Sequence, residues 1–567
     1  MSSSLQLPTI PTIGVKGSDV YSSSGDPRVD LNVKLVRGVT KEALADSLSK
    51  VLAADTLEVY QDAFVLAFNA RNVRGGKGER DIFYTLYQRL YDAKPHLAKA
   101  VMDLIPHYGC WSDVIEIASR NPTGPLTPLS KDLLVMFAKQ LLADSEAEHN
   151  LTLAGKWAPR EGSKYEKQAR HLAYIMGGKL TVEDGYKFSH NMRNYRKLIA
   201  SLNAKLRTIE TLMCSNKWDQ IIPATVPGRA GKLYARAFLN EPVERKEKGE
   251  LRHPDDPVRM KCRENFKTHF EEAVKGTKKL HGADTLFPHE IVVRARHGSD
   301  LTDDEKNYLQ SVWNAMVNKT KELGGLGRSI FMCDFSGSMS GTPYDVSMAL
   351  GILGSQVCSD EFKDMMMTFD SYPTWHHFQP DSDLFARIDS IKRSGIGMGL
   401  STDFQKAMDL VLETLKTKRV RPGEEPENLI VLTDMCWDKA YSSSEESDYT
   451  SNTYRHAVKT KPWQTHVEMI QEAFKRAGED MWGPGQAFTP PRIVIWNLRA
   501  DPQTDFHATA DTPGVAMLSG WSPTQFEILQ TEGPRQMTPY ETLRLELDHA
   551  RYDQIRERLS AAWNEDN

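Results

Sequence analysis

Two rhythms divide the chain. From about Leu31 to Leu323 apolar residues recur every three or four positions, the period of helices with one buried face. Leu57, Tyr60, Phe64, Ala67 and Phe68 share such a face. Ile82, Leu86 and Leu90 form the next, with Phe83 and Tyr87 beside them. Between the two lies Arg71-Asn-Val-Arg-Gly-Gly-Lys-Gly-Glu-Arg80, a basic turn broken by glycine. The same spacing predicts helices over 131–145, 163–176, 191–215, 231–238, 258–277 and 303–323, the last opened by Thr302 and Glu305 in capping-box register. Consecutive helices with short connections and no interleaved strands predict an α-helical repeat, a solenoid rather than a bundle, although no clean period runs through it.

Past Gly324 the apolar residues gather into short unbroken runs at 328–333, 365–369, 428–433, 492–497 and 515–518. Helical patterns separate them at 344–358, 403–417 and 463–477, and 522–529 follows the last. Strands alternating with helices predict a mostly parallel sheet covered on both faces. Residues 1–30, with serine runs, Pro8, Pro11, Gly14, Gly17 and Gly25, read as a mobile arm. Residues 539–563 read as one amphipathic helix with Leu543, Leu547, Ile555 and Leu559 on one side. The expected division is therefore an arm (1–30), a helical domain (31–323), an α/β domain (324–530) and a C-terminal helical segment (531–567).

Composition narrows the class. The chain has 567 residues, 40% of them hydrophobic, with a mean hydropathy of −0.49. No apolar stretch approaches the roughly 18 residues of a membrane span, and the first residues lack the basic and apolar regions of a secretory signal. Cys110, Cys214, Cys262, Cys333, Cys358 and Cys436 lie far apart with no CxxC pair, so a zinc ribbon or disulfide framework is not expected and a cytoplasmic, reducing setting is. The net charge of −5 hides an uneven distribution. Residues 151–300 hold 29 Lys and Arg against 18 Asp and Glu, whereas residues 301–567 hold 26 against 40. A basic middle joined to an acidic C-terminal part points to two modules with different partners, or to charges that only solvate helices.

The sharpest chemical motif is Asp334-Phe-Ser-Gly-Ser338, directly after an apolar strand and before a helix. In an open α/β sheet that is the carboxyl edge, where ligands bind. Two later segments end at the same edge: Gly397-Met-Gly-Leu-Ser-Thr402-Asp403, and the run Leu429–Thr433 ending in Asp434. Together they supply Asp334, Ser336, Ser338, Thr402 and Asp434, an all-oxygen donor set suited to Mg²⁺ or another divalent cation rather than to zinc. With few anionic donors the ion keeps positive character and can accept an acidic group from a partner. The bland alternative is that Ser and Asp here only cap helices. Other patterns carry less. Gly75-Gly-Lys-Gly lacks Walker A spacing, Gly395-Ile-Gly-Met-Gly399 reads as a turn, and there is no HExxH, EF-hand loop or GxSxG elbow. The His376-His377 pair reads as incidental.

The five oxygen donors resemble the metal-ion-dependent adhesion site of von Willebrand factor A domains, which have a Rossmann-like fold. The helical half followed by such a domain is similar to the layout of the Ro autoantigen RNA-binding family, a TROVE module of HEAT-like repeats plus a von Willebrand A domain. It looks closer still to a poorly characterised family of eukaryotic and viral proteins with that layout. The segments carrying the likeness are Asn69–Arg80, His107-Tyr-Gly-Cys-Trp111, Lys156-Trp-Ala-Pro-Arg160, Trp218, Val226-Pro227, Ile495-Trp-Asn-Leu-Arg499 and Gly514-Val-Ala-Met-Leu-Ser-Gly520. The resemblance implies a helical ring or solenoid that takes single-stranded RNA ends in a basic hole and structured noncoding RNA on its outer surface.

On that reading the phosphate contacts are Arg71, Arg74, Lys77, Arg80, Lys156, Arg160, Arg193, Arg196, Lys197, Arg229 and Lys232, which would bind by releasing counterions. Trp157, Tyr195 and Tyr234 are placed to stack on unpaired bases or, alternatively, to fill the core. The expected function is a non-catalytic RNA-binding scaffold with a Mg²⁺-dependent von Willebrand A domain and no membrane partner. The alternative is a protein-interaction module whose metal captures a partner's Asp or Glu. A metal-assisted hydrolase ranks last, because no obvious general base accompanies the metal loops and Asp403 is only a candidate.

Overall fold

A computed structural model of the chain describes residues 6–15, 18–121, 124–177, 185–242, 250–298, 300–359, 362–369, 373–395, 404–437, 466–500, 504–530 and 536–566. The chain divides into two compact units. One comprises Met1–Ala54, Leu286–Leu301 and Leu309–His549; the other comprises Asp55–Thr285, Thr302–Tyr308 and Ala550–Asn567.

The first unit is built on a six-stranded sheet. A short hairpin, β1 (Pro11–Ile13) and β2 (Asp19–Tyr21), precedes it in the chain. The sheet strands are β3 (Ser329–Asp334), β4 (Met365–Phe369), β5 (Trp375–His377), β6 (Asn428–Thr433), β7 (Arg492–Asn497) and β8 (Val515–Ser519), in the order β5-β4-β3-β6-β7-β8. All neighbours are parallel except β5, which pairs antiparallel with β4. Every residue of β3, β4, β6, β7 and β8 is buried, which is why these strands appear in the sequence as continuous apolar runs rather than alternating ones.

Helix Thr342–Ser355 covers β3 at close range. A Cβ on Gly354 would lie 2.1 Å from the Phe331 ring, and one on Gly351 would lie 2.4 Å from Cys333 Sγ. Glycine at these two positions lets the helix backbone approach the strand.

The boundaries differ from the expected ones at several places, with residues 31–54 and 309–323 also falling in the sheet unit. Residues 1–30 are not simply an arm. Asp26 caps helix Pro27–Lys34 by accepting the Arg28 amide at 2.8 Å, and Val29, Leu31 and Val33 are buried. The local signal, an N-cap acid before proline, is real but only one turn long. Helix Pro288–His297 falls with the sheet unit instead of the helical one. Its Arg296 pairs with Asp345 at 2.7 Å and lies 5.3 Å over the Tyr344 ring. The segment expected as one C-terminal helix is two, Pro539–Leu547 and Asp553–Asp566. Leu543 and Leu547 serve the sheet unit, while Ile555 and Leu559 lie in the helical unit's part of the chain.

The second unit is helical throughout its described residues. Leu57–Arg71 and Arg80–Ala93 pack through Phe68 and Phe83, with ring centroids 5.3 Å apart. Helices Trp111–Ala118, Pro128–Glu146, Glu166–Met176, Gly185–Leu206, Ile209–Cys214, Gly228–Phe238 and Pro257–Val274 follow. The pattern expected as one helix over 191–215 breaks at Arg207, whose φ of +46° ends the first helix, and Thr208 stands at the N-cap of the next. Phe238 and Phe266 stack at 4.2 Å in the core of the later helices. No described helix is long and apolar enough to cross a membrane.

Candidate cation site at the carboxyl edge of the sheet

Sheet topology sets the location. The chain leaves β3 through helix Thr342–Ser355 toward β4 on one side, and leaves β6 toward β7 on the other. The crossovers diverge between β3 and β6, which makes the space beyond their carboxyl ends the topological switch point of the sheet. The pairing places Cys333 opposite Leu432, so Asp334 ends its strand beside Thr433 and Asp434 follows one residue on.

Asp334 is fully buried. Its Oδ1 accepts the Ser336 amide at 2.9 Å, and its Oδ2 accepts the Thr433 hydroxyl at 3.1 Å. The Ser336 and Ser338 hydroxyl oxygens lie 3.0 Å apart. Asp434, 3% exposed, accepts the Cys436 amide at 3.0 Å. Four of the five expected donors therefore fall on two adjacent strand ends. The fifth, Thr402, lies outside the described residues, just before helix Phe404–Thr417.

Among the described residues no three His, Cys, Asp or Glu side chains cluster as metal ligands, so an ion here would depend on the hydroxyl oxygens together with the two carboxylates, a donor chemistry of the kind hard divalent ions take. The two serine hydroxyls are hydrogen-bonded to each other at 3.0 Å, a separation that neighbouring oxygens on an octahedral Mg²⁺, each about 2.1 Å from it, would also have. The buried carboxylate is held by neutral donors and the set contains no sulfur or imidazole, in keeping with oxygen-preferring metals.

Sequence reasoning passed over the support around these donors. Thr433 donates to Asp334 while its oxygen accepts both the Met435 amide and the Trp437 indole N–H, each at 3.1 Å. Met435 has φ +66°, a left-handed backbone that is strained for a side chain of its kind. Trp437 is fully buried and stacks on His507 at 3.7 Å between centroids. Trp437 stands three residues past the motif, a detectable signal; His507 has none, because only the fold brings it there. On the other flank, Phe335 packs against Tyr344 at 5.1 Å. Asp345, next in that helix, has its carboxyl pushed above the usual range by burial and pulled back in part by Arg296. His376, on β5, meets Ser390 Oγ at 2.9 Å and packs edge-on to Phe378, a structural role.

The expected phosphate contacts divide. Arg71 is 2% exposed and grips Asp113 with two nitrogens, at 2.8 and 3.2 Å. Tyr84 donates to the same carboxylate at 2.6 Å, its hydroxyl held protonated by burial and then by the charge of Asp113. Lys77 is fully buried. Neither cation can meet a phosphate. The glycines beside them answer to close packing: a Cβ on Gly75 would lie 1.6 Å from Arg551 Nη1, and one on Gly76 would lie 2.2 Å from the Asn69 carbonyl. Arg74 and Arg80 are exposed, with Arg74 donating to the His107 carbonyl at 2.9 Å.

A second group of cations stays on the surface. Arg160, Arg193, Arg196 and Lys197 are exposed, and Arg196 pairs with Glu161. Tyr195 is buried and donates to the Pro159 carbonyl at 2.9 Å, which ties segment 157–160 to helix Gly185–Leu206 and excludes base stacking by Tyr195. Trp157 is 39% exposed beside Lys156, which pairs with Glu210 at 3.0 Å. Arg229 is exposed, Lys232 and Tyr234 half-buried.

Residues 328–556 match the profile of a family described as a domain of unknown function, DUF7788. The match begins at the residue before β3 and spans the whole sheet. The chain is 25% identical over 523 residues to an uncharacterized protein, L728, of Acanthamoeba polyphaga mimivirus, covering 89% of this chain and 82% of that protein. The similarity therefore runs through both units.

Proposed function

We propose that the protein is a non-catalytic binding scaffold. Its sheet unit is a von Willebrand factor A domain that holds a divalent cation, Mg²⁺ by donor chemistry, and uses it to capture a carboxylate of a partner protein. The carrying observation is the strand-end pair: Asp334, buried and bonded to Thr433, beside Asp434 and two serine hydroxyls 3.0 Å apart at the switch point. Asp334, Ser336, Ser338, Thr402 and Asp434 would hold the ion. When bound, the ion supplies an electropositive centre with room for one more anionic oxygen. The chain's own residues do the rest: Thr433 and the Ser336 amide hold the Asp334 carboxylate in one orientation, and the buried strand ends keep water from competing for it. The free thiols, four of the six buried, support a reducing cytoplasmic compartment.

Peptides displayed on phage, each with a single Asp or Glu, test this with the full chain immobilised. Enrichment in Mg²⁺ that disappears with EDTA and in Asp334→Ala is the expected result. Enrichment indifferent to both sinks the reading.

A second reading, RNA binding by a TROVE-like helical unit, rests on a different observation: Arg160, Arg193, Arg196 and Lys197 are exposed near a half-exposed Trp157. Arg193→Glu with Lys197→Glu should weaken binding of a single-stranded RNA at least about tenfold and flatten its salt dependence. Equal affinity in a filter-binding titration would remove this face from consideration.

A further inference from the structure

The geometry points to the N-terminal hairpin as the outer support of the cation site, acting through His507 and Trp437 as positioning residues. This rests on the cation reading above and adds to it residues that lie outside the donor set.

The inner link is a saturated hydroxyl. A threonine hydroxyl has one hydrogen to give and two lone pairs to receive. At Thr433 both acceptor positions are taken, by the Met435 amide and the Trp437 indole N–H. Its single hydrogen is therefore left for Asp334 Oδ2, at 3.1 Å. Trp437 thus fixes the direction of the bond that orients the buried carboxylate. Without the indole N–H that hydroxyl can rotate and leave Asp334.

The middle link holds Trp437 and the strained residue before it. His507 is fully buried, its ring lies 15° from parallel to the indole, and its Nε2 is 2.8 Å from the Met435 carbonyl. A carbonyl only accepts, so Nε2 carries the hydrogen. One imidazole therefore clamps both ends of the Met435–Trp437 segment, and such a clamp is what a left-handed methionine requires to persist.

The outer link is the hairpin. Asp505 is 1% exposed and its Oδ2 accepts the Val15 amide at 2.9 Å. Gly14 passes so close that a Cβ there would lie 2.4 Å from the same oxygen. Tyr21 on β2 donates its amide to the Phe506 carbonyl at 2.8 Å, and Ala510 donates to Ser24 at 2.6 Å. Segment 505–510 is thus fastened to the hairpin along one side while His507 reaches the metal loop on the other. Groups that orient metal ligands from behind typically govern affinity by about 10- to 100-fold.

The test is calorimetric titration of Mn²⁺ into the full chain, with folding followed by far-UV circular dichroism in EDTA. Trp437→Phe keeps a ring but loses the N–H, and His507→Ala loses the clamp. Each should weaken Mn²⁺ binding about tenfold or more, while His507→Gln, which retains a donor, should recover most of the loss. Gly14→Val, remote from every donor, should weaken it about threefold or more by lifting the hairpin from Asp505. If wild type binds Mn²⁺ and the folded variants stay within twofold of it, the positioning role is overturned and the cation site stands. A silent Gly14→Val alone removes the hairpin from the chain of support. If wild type takes up no Mn²⁺, the cation reading itself fails, and this inference with it. Should His507→Ala not fold, Trp437→Phe and Gly14→Val decide.

Discussion

Burial separates cations that build the fold from those that meet a partner. Arg71 and Lys77 read in sequence as members of a basic turn, yet both are buried, and Arg71 is one side of a bidentate pair with Asp113. Removing the carboxylate leaves an arginine without its counter-charge in the interior, so Asp113→Ala should lower stability by about 3–5 kcal/mol in urea unfolding; a loss under about 1 kcal/mol would show the pair to be dispensable. Thiols sort the same way. Burial pushes Cys262 and Cys358 up to about 12, while Cys214 is exposed and Cys110 partly so. Iodoacetamide at pH 8 should therefore label Cys214 and Cys110 in the native protein and spare Cys262, Cys333, Cys358 and Cys436, as read by peptide mass mapping. His376 carries a pH signature. Burial, then its neighbour His377, depresses its pKa, so the neutral ring's stabilising contribution is present above the ordinary histidine value and is lost as pH falls through the lower folded value. The denaturation midpoint should drop below about pH 6.5, with a shallower drop in His376→Asn; identical slopes would count against this assignment. The adjacency of Asp334, Ser336, Ser338 and Asp434 was legible because a strand, an alternating Asp-Ser-Ser loop and a later strand-terminal Asp leave a linear trace. Thr433 and His507 were not, since a hydroxyl's partners and a ring's neighbour are set by the fold alone.

Among the elements, legibility followed length and burial. The five long sheet strands match their apolar runs because both faces are covered. β1, β2 and β5 were missed: three residues each, partly exposed, with no run to detect. The C-terminal helix was over-extended because apolar spacing continues across a break, and periodicity does not register a 3₁₀ turn such as Ala550–Tyr552. Helix Thr342–Ser355 depends on glycine where it meets β3. Gly354→Val forces a branched side chain against the Phe331 ring 2.1 Å from the new Cβ, and should cost about 1–3 kcal/mol in thermal or urea unfolding. Because that helix starts just beyond Ser338, the same variant should also weaken cation binding. Wild-type stability would show that the helix shifts freely on the strand.

At the level of the whole chain, the charge asymmetry gains a partial explanation. The +11 balance of residues 151–300 lies largely within the helical unit, and part of it is spent on internal pairs such as Lys156–Glu210 and Arg263–Asp304. Of what remains exposed, Arg193, Arg196 and Lys197 stand on helix Gly185–Leu206, while others, among them Lys261, Lys275, Lys278 and Lys279, lie on later segments. The similarity to the viral protein extends over both units, at 25% identity. Cation binding at the sheet edge hinges on Asp334. Its most direct test is a calorimetric titration of the full chain with Mg²⁺ and with Mn²⁺, repeated on Asp334→Asn, which keeps the side chain's shape and removes its charge. The wild type should show one saturable site per chain and the variant none, with the fold unchanged by circular dichroism. Absence of saturable binding in the wild type, or equal binding in the variant, would contradict it.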